Sequence, residues 1–210
     1  MKSIQFNQDD KISIIGYSGA GKSTLMKYFV KNTFANFPNL VIVDPTYQFS
    51  HPPAKKMKTY TGSVKCKYPT KNKGCFHIRG EEQFETICEV LFKKDSPSFL
   101  VVDEIDEYTD THELGYWASL YMEEGRNFHQ GGCFSVRRLG RLNKSIFSNS
   151  KYLCLFRVIN KSDIAYLEST LDFDIDVLNV KPKYSFDLID LQNSENMGRF
   201  TVSKQGIFSV

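Results

Sequence analysis

Hydrophobic and polar positions along the chain follow two rhythms. Up to about residue 170, short unbroken apolar runs alternate with stretches whose apolar residues recur at helical spacing. The runs are Lys11–Ile15, Leu40–Val43, Ser98–Val102, residues 131–136 and Tyr152–Phe156. Such runs suit strands buried on both faces of a parallel sheet. Leu25, Met26, Phe29 and Val30 predict a helix starting near Lys22. Phe84, Ile87, Cys88, Leu91 and Phe92 predict another over 81–92, and further helices are expected over 112–124 and 162–169. Strands alternating with helices imply βαβ units, hence an α/β fold with a mostly parallel central sheet flanked by helices.

From residue 183 the rhythm shortens to two. Residues 184–190 and 199–202 alternate, with 193–198 between them, which predicts a C-terminal antiparallel β-hairpin over about 183–204. Residues 45–74 keep neither rhythm and are rich in Pro, Lys and Thr; a small hairpin around 61–63 and a short strand over 76–78 are expected there. There is no internal repeat. With 210 residues, the expectation is a single domain, 1–210, carrying a basic insertion at about 45–75.

Composition narrows the class. An aromatic content of 14% argues for a substantial core. A net charge of +3 excludes a polycation, so any nucleic-acid surface must come from local clustering of Lys and Arg. No apolar run approaches the roughly 20 residues that span a bilayer, and the first residues hold no long apolar stretch of a secretory signal. The expectation is a cytoplasmic protein without a transmembrane segment. The five cysteines, Cys66, Cys75, Cys88, Cys133 and Cys154, are scattered and odd in number, which does not read as a disulfide framework. The last three suit small core residues. Cys66 and Cys75, with His77 close by, leave a local disulfide or an incomplete metal clip open.

The chemistry begins where the first apolar run ends. Gly16, Gly21, Lys22 and Ser23 meet the pattern G-x-x-x-x-G-K-[ST], between an apolar strand and an amphipathic helix. Such a loop turns backbone N–H groups onto one anion, and the following helix adds its positive end. Residues Gly16, Tyr17, Ser18, Gly19, Ala20, Gly21, Lys22, Ser23 and Thr24 are therefore the expected ATP-binding segment. Lys22 is expected to reach the β- and γ-phosphates, and the Ser23 hydroxyl to ligate Mg²⁺. Residues 99–104 are an apolar strand ending in two acids. Asp103 suits a second Mg²⁺ ligand, and Glu104 suits the base that activates water. Asp106, Glu107 and Asp110 read as mostly surface. Arg126 ends the helix after the acids, and Arg137, Arg138 and Arg141 follow the next strand. At strand tips, guanidiniums can stabilise charge on a transferred phosphoryl group; surface pairing, for example with Glu123 and Glu124, is the plainer alternative.

The order of these features carries a resemblance: the loop, a strand ending Asp44-Pro45, the acid pair, Gly125-Arg126, a strand ending Arg137-Arg138, then residues 152–157. Over about residues 10–170 the chain resembles the FtsK–HerA superfamily of DNA-pumping ATPases. It is most similar to the small genome-packaging ATPases of membrane-containing icosahedral viruses, those of the Sulfolobus turreted viruses above all. The resemblance implies a RecA-like P-loop NTPase fold and a motor that drives double-stranded DNA into a capsid. It also implies a homo-oligomeric ring of six or five copies, a capsid vertex or inner-membrane protein as partner, and a place in the host cytoplasm or at a virion vertex. Arg126 matches the arginine finger offered to a neighbouring subunit. Arg137 stands where the family usually has a glutamine sensor.

Lys55, Lys56, Lys58, Lys65, Lys67, Lys71, Lys73 and Arg79 lie in a stretch without acids, interleaved with Tyr60, Tyr68 and Phe76. They suit sequence-independent phosphate contacts, as does the stretch 138–144; a solvated loop is the alternative. The adenine could meet the terminal hairpin or Tyr17. Two rival functions remain: a P-loop kinase closing Arg137, Arg138 and Arg141 as a lid, and a nucleotide-dependent regulatory or partition ATPase.

Overall fold

The structure is a computed structural model describing residues 5–49, 63–64, 73–78, 80–94, 96–171 and 182–209. Most of the basic segment 55–79 and Cys66 lie outside these residues, so the expectations placed there lie outside them too.

Five apolar strands form the parallel heart of the sheet: β1 (Lys11–Ile15), β2 (Leu40–Val43), β5 (Ser98–Val102), β6 (Gln130–Val136) and β7 (Tyr152–Phe156). β4 (Lys73–Phe76) joins them in parallel beside β2, and β3 (Ser63–Val64) pairs antiparallel with β4. On the other flank β8 (Ser185–Asp190), β9 (Glu195–Val202) and β10 (Ile207–Ser209) run antiparallel in succession from β7. Among the described residues the order is β10-β9-β8-β7-β1-β6-β5-β2-β4-β3. The predicted hairpin is thus an extension of the same sheet, with a third strand that the sequence pattern did not announce.

Side chains leave each strand alternately to two cores, as the two-residue period requires. Phe99 and Val101 join Ile12, Ile14, Leu40, Ile42 and Cys133 on one face. That face is covered by α1 (Lys22–Tyr28) and the wider turn Phe29–Thr33 that continues it. Leu100 and Val102 join Ile15, Val43, Phe134 and Val136 on the other. That face packs against α2 (Glu81–Lys93), α3 (Tyr116–Glu123), α4 (Lys144–Ser148) and α5 (Lys161–Thr170). Cys75, Cys88, Cys133 and Cys154 are all buried, in keeping with the core reading of the last three.

Two boundaries differ from expectation for identifiable reasons. The helix expected over 112–124 starts only at Tyr116. Its first turn is capped from another helix: the Glu85 carboxylate accepts the N–H groups of Trp117 at 3.0 Å and Ala118 at 2.8 Å. Gly115 makes room for that carboxylate, since a Cβ there would stand 2.2 Å from Glu85 Cδ. The strand expected over 76–78 lies instead at Lys73–Phe76. His77 turns away to meet the Asp44 carbonyl at 3.0 Å and to stack on Tyr47. The disulfide or clip expected of Cys66 and Cys75 includes Cys66 and so lies outside the described residues; among the described residues no group of three or more His, Cys, Asp or Glu could hold a metal ion. No described helix is long and apolar enough to cross a membrane.

Candidate active site

The loop 16–21 leaves the C-terminal end of β1 and returns into α1. Its geometry depends on glycine at two places. Gly21 has φ 119°, a conformation that side-chain-bearing residues rarely adopt. Gly16 sits so close to β7 that a Cβ would meet Phe156 Cβ at 2.6 Å. The Tyr17 N–H donates to the Arg157 carbonyl at 3.1 Å, tying the loop to the end of β7. Ser18 and Gly19 are exposed at its crest; Ser23 and Thr24 lie half-buried in the first turn of α1. Lys22 folds its ammonium back into the loop, donating to the carbonyls of Gly16 at 2.7 Å and Tyr17 at 3.2 Å. Burial lowers its pKa, while Asp103, Asp106 and Glu104 act the other way.

The acid pair stands at the same edge, two strands away, because β6 lies between β1 and β5. Asp103 is 1% exposed. Its Oδ1 accepts a 2.6 Å hydrogen bond from the Ser135 hydroxyl of β6, and its Oδ2 is buried with no partner among the described residues. Burial raises its pKa, and the Asp44 carboxylate adds to the rise against the Ser135 bond. A buried carboxylate oxygen without a donor is what a hydrated cation would satisfy. Mg²⁺ takes one or two protein ligands and completes its shell with water and phosphate. Asp103 fits that need.

Glu104 turns the chain out of the strand in the left-handed region, at φ 55° and ψ 57°. Its N–H donates to Ser135 Oγ at 2.8 Å. One buried hydroxyl thus fixes both acids: it donates to the first and accepts from the backbone of the second. The Glu104 side chain is half-buried and faces Arg137, with 3.6 Å between Oε2 and Nη1. Its pKa is raised chiefly by burial, lowered by Arg137, and raised again by Asp103, Asp106 and Glu107.

Asp106 corrects the surface reading. It is 6% exposed and clamps the end of β6: Oδ1 accepts the Arg137 N–H at 2.9 Å, and Oδ2 that of Arg138 at 3.2 Å. Glu107 and Asp110 are exposed, as expected, and Glu107 pairs there with Arg137 Nη2. Arg137 therefore holds both Glu104 and Glu107, and with Arg138 it lines a groove of about 210 Å³ that runs past Gly16, Tyr17 and Ser18. Arg138 and Arg141 are exposed.

Arg126 is not brought to this crevice. It precedes β6, at the N-terminal ends of the parallel strands, beside Lys11 and 3.7 Å from Asp9. The loop and the acids follow the C-terminal ends. Within one chain the length of a strand separates them, and the surface partner of Arg126 is Asp9, not Glu123 or Glu124. Lys22, Asp103, Glu104 and Arg137 are assembled at one edge; Arg126 faces outward at the other.

Ser135 is not singled out by the sequence, and Asp106 is named there only as a surface acid. Ser135 left a faint signal, as a polar residue within the otherwise apolar run 131–136.

No protein-family model and no curated protein matches the sequence. Solved structures do match. The genome packaging NTPase B204 of Sulfolobus turreted icosahedral virus 2, in complex with AMPPCP, superposes with a TM-score of 0.72 at 16% identity, over 90% of this chain and 96% of that one. The DNA-packaging ATPase B204 of Sulfolobus turreted icosahedral virus gives 0.70 at 16%, over the same shares, 90% and 96%. VirB4 of Thermoanaerobacter pseudethanolicus gives 0.65 at 9%, over 92% and 88%. The chain shares its fold with these structures.

Proposed function

We propose that this chain is an ATP-hydrolysing motor that moves double-stranded DNA into a viral capsid as a closed homo-oligomeric ring. The observation that carries the reading is the joining of the Lys22 loop to the Asp103–Ser135–Glu104 unit on one sheet edge, in a fold that matches a packaging NTPase over nearly its full length. The phosphates of ATP would draw Lys22 away from the Gly16 and Tyr17 carbonyls, exchanging two neutral acceptors for charged ones. Ser23 and Asp103 would hold Mg²⁺, which when bound neutralises phosphate charge. Glu104 would take a proton from water as its oxygen attacks the γ-phosphorus and ADP departs. The raised pKa of Glu104 brings its basicity closer to the working pH. Arg137 already pairs with Glu104, so it would be within reach of a phosphoryl group held beside that base.

Arg126, on the far edge, would serve the nucleotide of the next copy. A surface that offers a finger on one side and needs one on the other repeats head to tail, and a rotation that closes would make it a ring. The DNA, the basic stretch 55–79 that would contact it, and a capsid-vertex or membrane partner belong to this proposal. The kinase reading is disfavoured by the pairing of Arg137 with Glu104 and Glu107, which ties one supposed lid arginine to the acids. Turnover with and without long double-stranded DNA, across protein concentration, tests the motor. Phosphate transfer to an acceptor other than water would instead identify a kinase.

A further inference from the structure

The sheet gives the bound nucleotide a direction. β1, which feeds the phosphate loop, lies between β6 and β7. Asp103, Glu104 and Arg137 follow β5 and β6, all on one side of the loop. If Glu104 acts on the γ-phosphate, that phosphate lies on the β6 flank. The nucleoside end then leaves along the opposite flank, towards β7 and β8.

An aromatic side chain waits on that flank. β8 is antiparallel to β7, with Phe186 paired to Phe156, so the start of β8 lies level with the phosphate loop. Tyr184 stands immediately before β8. Its ring reaches the loop itself, because a Cβ added to Gly21 would stand 2.8 Å from Tyr184 Cδ1. Although it touches a tightly packed glycine, Tyr184 is 40% exposed, and among the described residues its hydroxyl has no hydrogen bond. A tyrosine retained for the core would be buried with its hydroxyl partnered. Its backbone sits in the left-handed region at φ 65°, an unfavourable conformation for a bulky residue. The Val202 N–H holds it there, donating to the Tyr184 carbonyl at 2.9 Å. The ring is open to a planar or cationic partner, and the Lys183 ammonium lies 5.1 Å from its centroid.

We infer that Tyr184 is the platform on which the nucleobase of the bound triphosphate stacks. The inference rests on reading 16–23 as the nucleotide site. Stacking uses the π-face common to all bases and reads no hydrogen-bonding edge. The subsite therefore accepts purine triphosphates with little discrimination between adenine and guanine.

The test is calorimetric titration of the full chain with three probes in the presence of Mg²⁺: the β,γ-methylene analogues of ATP and of GTP, and inorganic tripolyphosphate. Tyr184→Ala is expected to weaken both analogues roughly tenfold, the scale of one lost base–aromatic stack, and to leave tripolyphosphate unchanged. Tyr184→Phe and Tyr184→Trp are expected to keep wild-type affinity. Two results overturn the inference: analogue binding by Tyr184→Ala equal to wild type, or a parallel loss of tripolyphosphate, which makes the ring a prop for the loop. A wild-type chain that binds tripolyphosphate but neither nucleotide more tightly also overturns it, while sparing the phosphate site. Failure of the wild type to bind any of the three removes the nucleotide site as well.

Discussion

Ser135 donates a 2.6 Å hydrogen bond to Asp103 across two neighbouring strands, in a site closed to solvent. Because the same oxygen accepts the Glu104 N–H, it holds the rotamer of one acid and the backbone turn of the other. Ser135→Ala leaves a buried carboxylate oxygen and a backbone N–H without partners. Loss of about 1–3 kcal/mol of stability is expected, readable as a lower denaturant midpoint. If Ser135 positions the acids, kcat falls while nucleotide affinity holds, and Ser135→Thr restores part of the turnover. A variant that loses stability alone, at unchanged kcat, makes Ser135 merely structural.

Asp103 links activity to stability with opposite signs. Burial raises its pKa, so the fold favours the protonated form. The ionised carboxylate therefore costs stability, and that cost grows as pH rises through the carboxylate range. Asp103→Asn removes the charge while keeping an oxygen for Ser135. It is expected to raise the melting temperature at neutral pH in the absence of Mg²⁺ nucleotide, and to abolish turnover. Thermal unfolding of the two proteins across pH checks the sign; a gap that shrinks as pH rises contradicts it.

Glu104 should act only when ionised. Its raised pKa means that kcat falls on acidification earlier than an ordinary glutamate would dictate. Glu104→Gln is expected to keep nucleotide binding and to lose turnover by about 10²–10⁴-fold, the usual worth of a general base. Turnover at the wild-type rate would remove Glu104 from the chemistry.

Arg126 is well exposed, and its 3.7 Å contact with Asp9 is a surface pair, worth at most about 1 kcal/mol. Arg126→Ala should therefore fold normally and be inactive alone. Mixing it with Glu104→Gln should regain part of the ATPase rate, because each copy supplies what its neighbour lacks. No regain in mixtures assigns Arg126 a role within its own chain.

Much of this was legible in the sequence because the strongest signals are local. β1, β2, β5 and β7 stand where unbroken apolar runs put them, and the Gly16–Lys22 spacing located the loop without any tertiary information. What escaped depends on contacts between distant residues. The start of α3 is set by Glu85, some thirty positions away in the chain, and nothing around His112 announces it. Asp106 looked like one of several turn acids until the end of β6 was seen to donate two N–H groups to it. Arg126 was grouped with the strand-tip arginines, but it belongs to the edge where β6 begins. The period-two pattern of the tail gave two strands and missed β10, whose Ile207–Ser209 is too short to establish a rhythm.

The most direct test of the motor is steady-state ATP hydrolysis by the purified chain with Mg²⁺, over a range of protein concentrations, with and without long double-stranded DNA. For a ring-forming motor the rate per chain rises with concentration as rings form and rises further with DNA. A rate per chain that is constant down to demonstrably monomeric dilution, and indifferent to DNA, would contradict it.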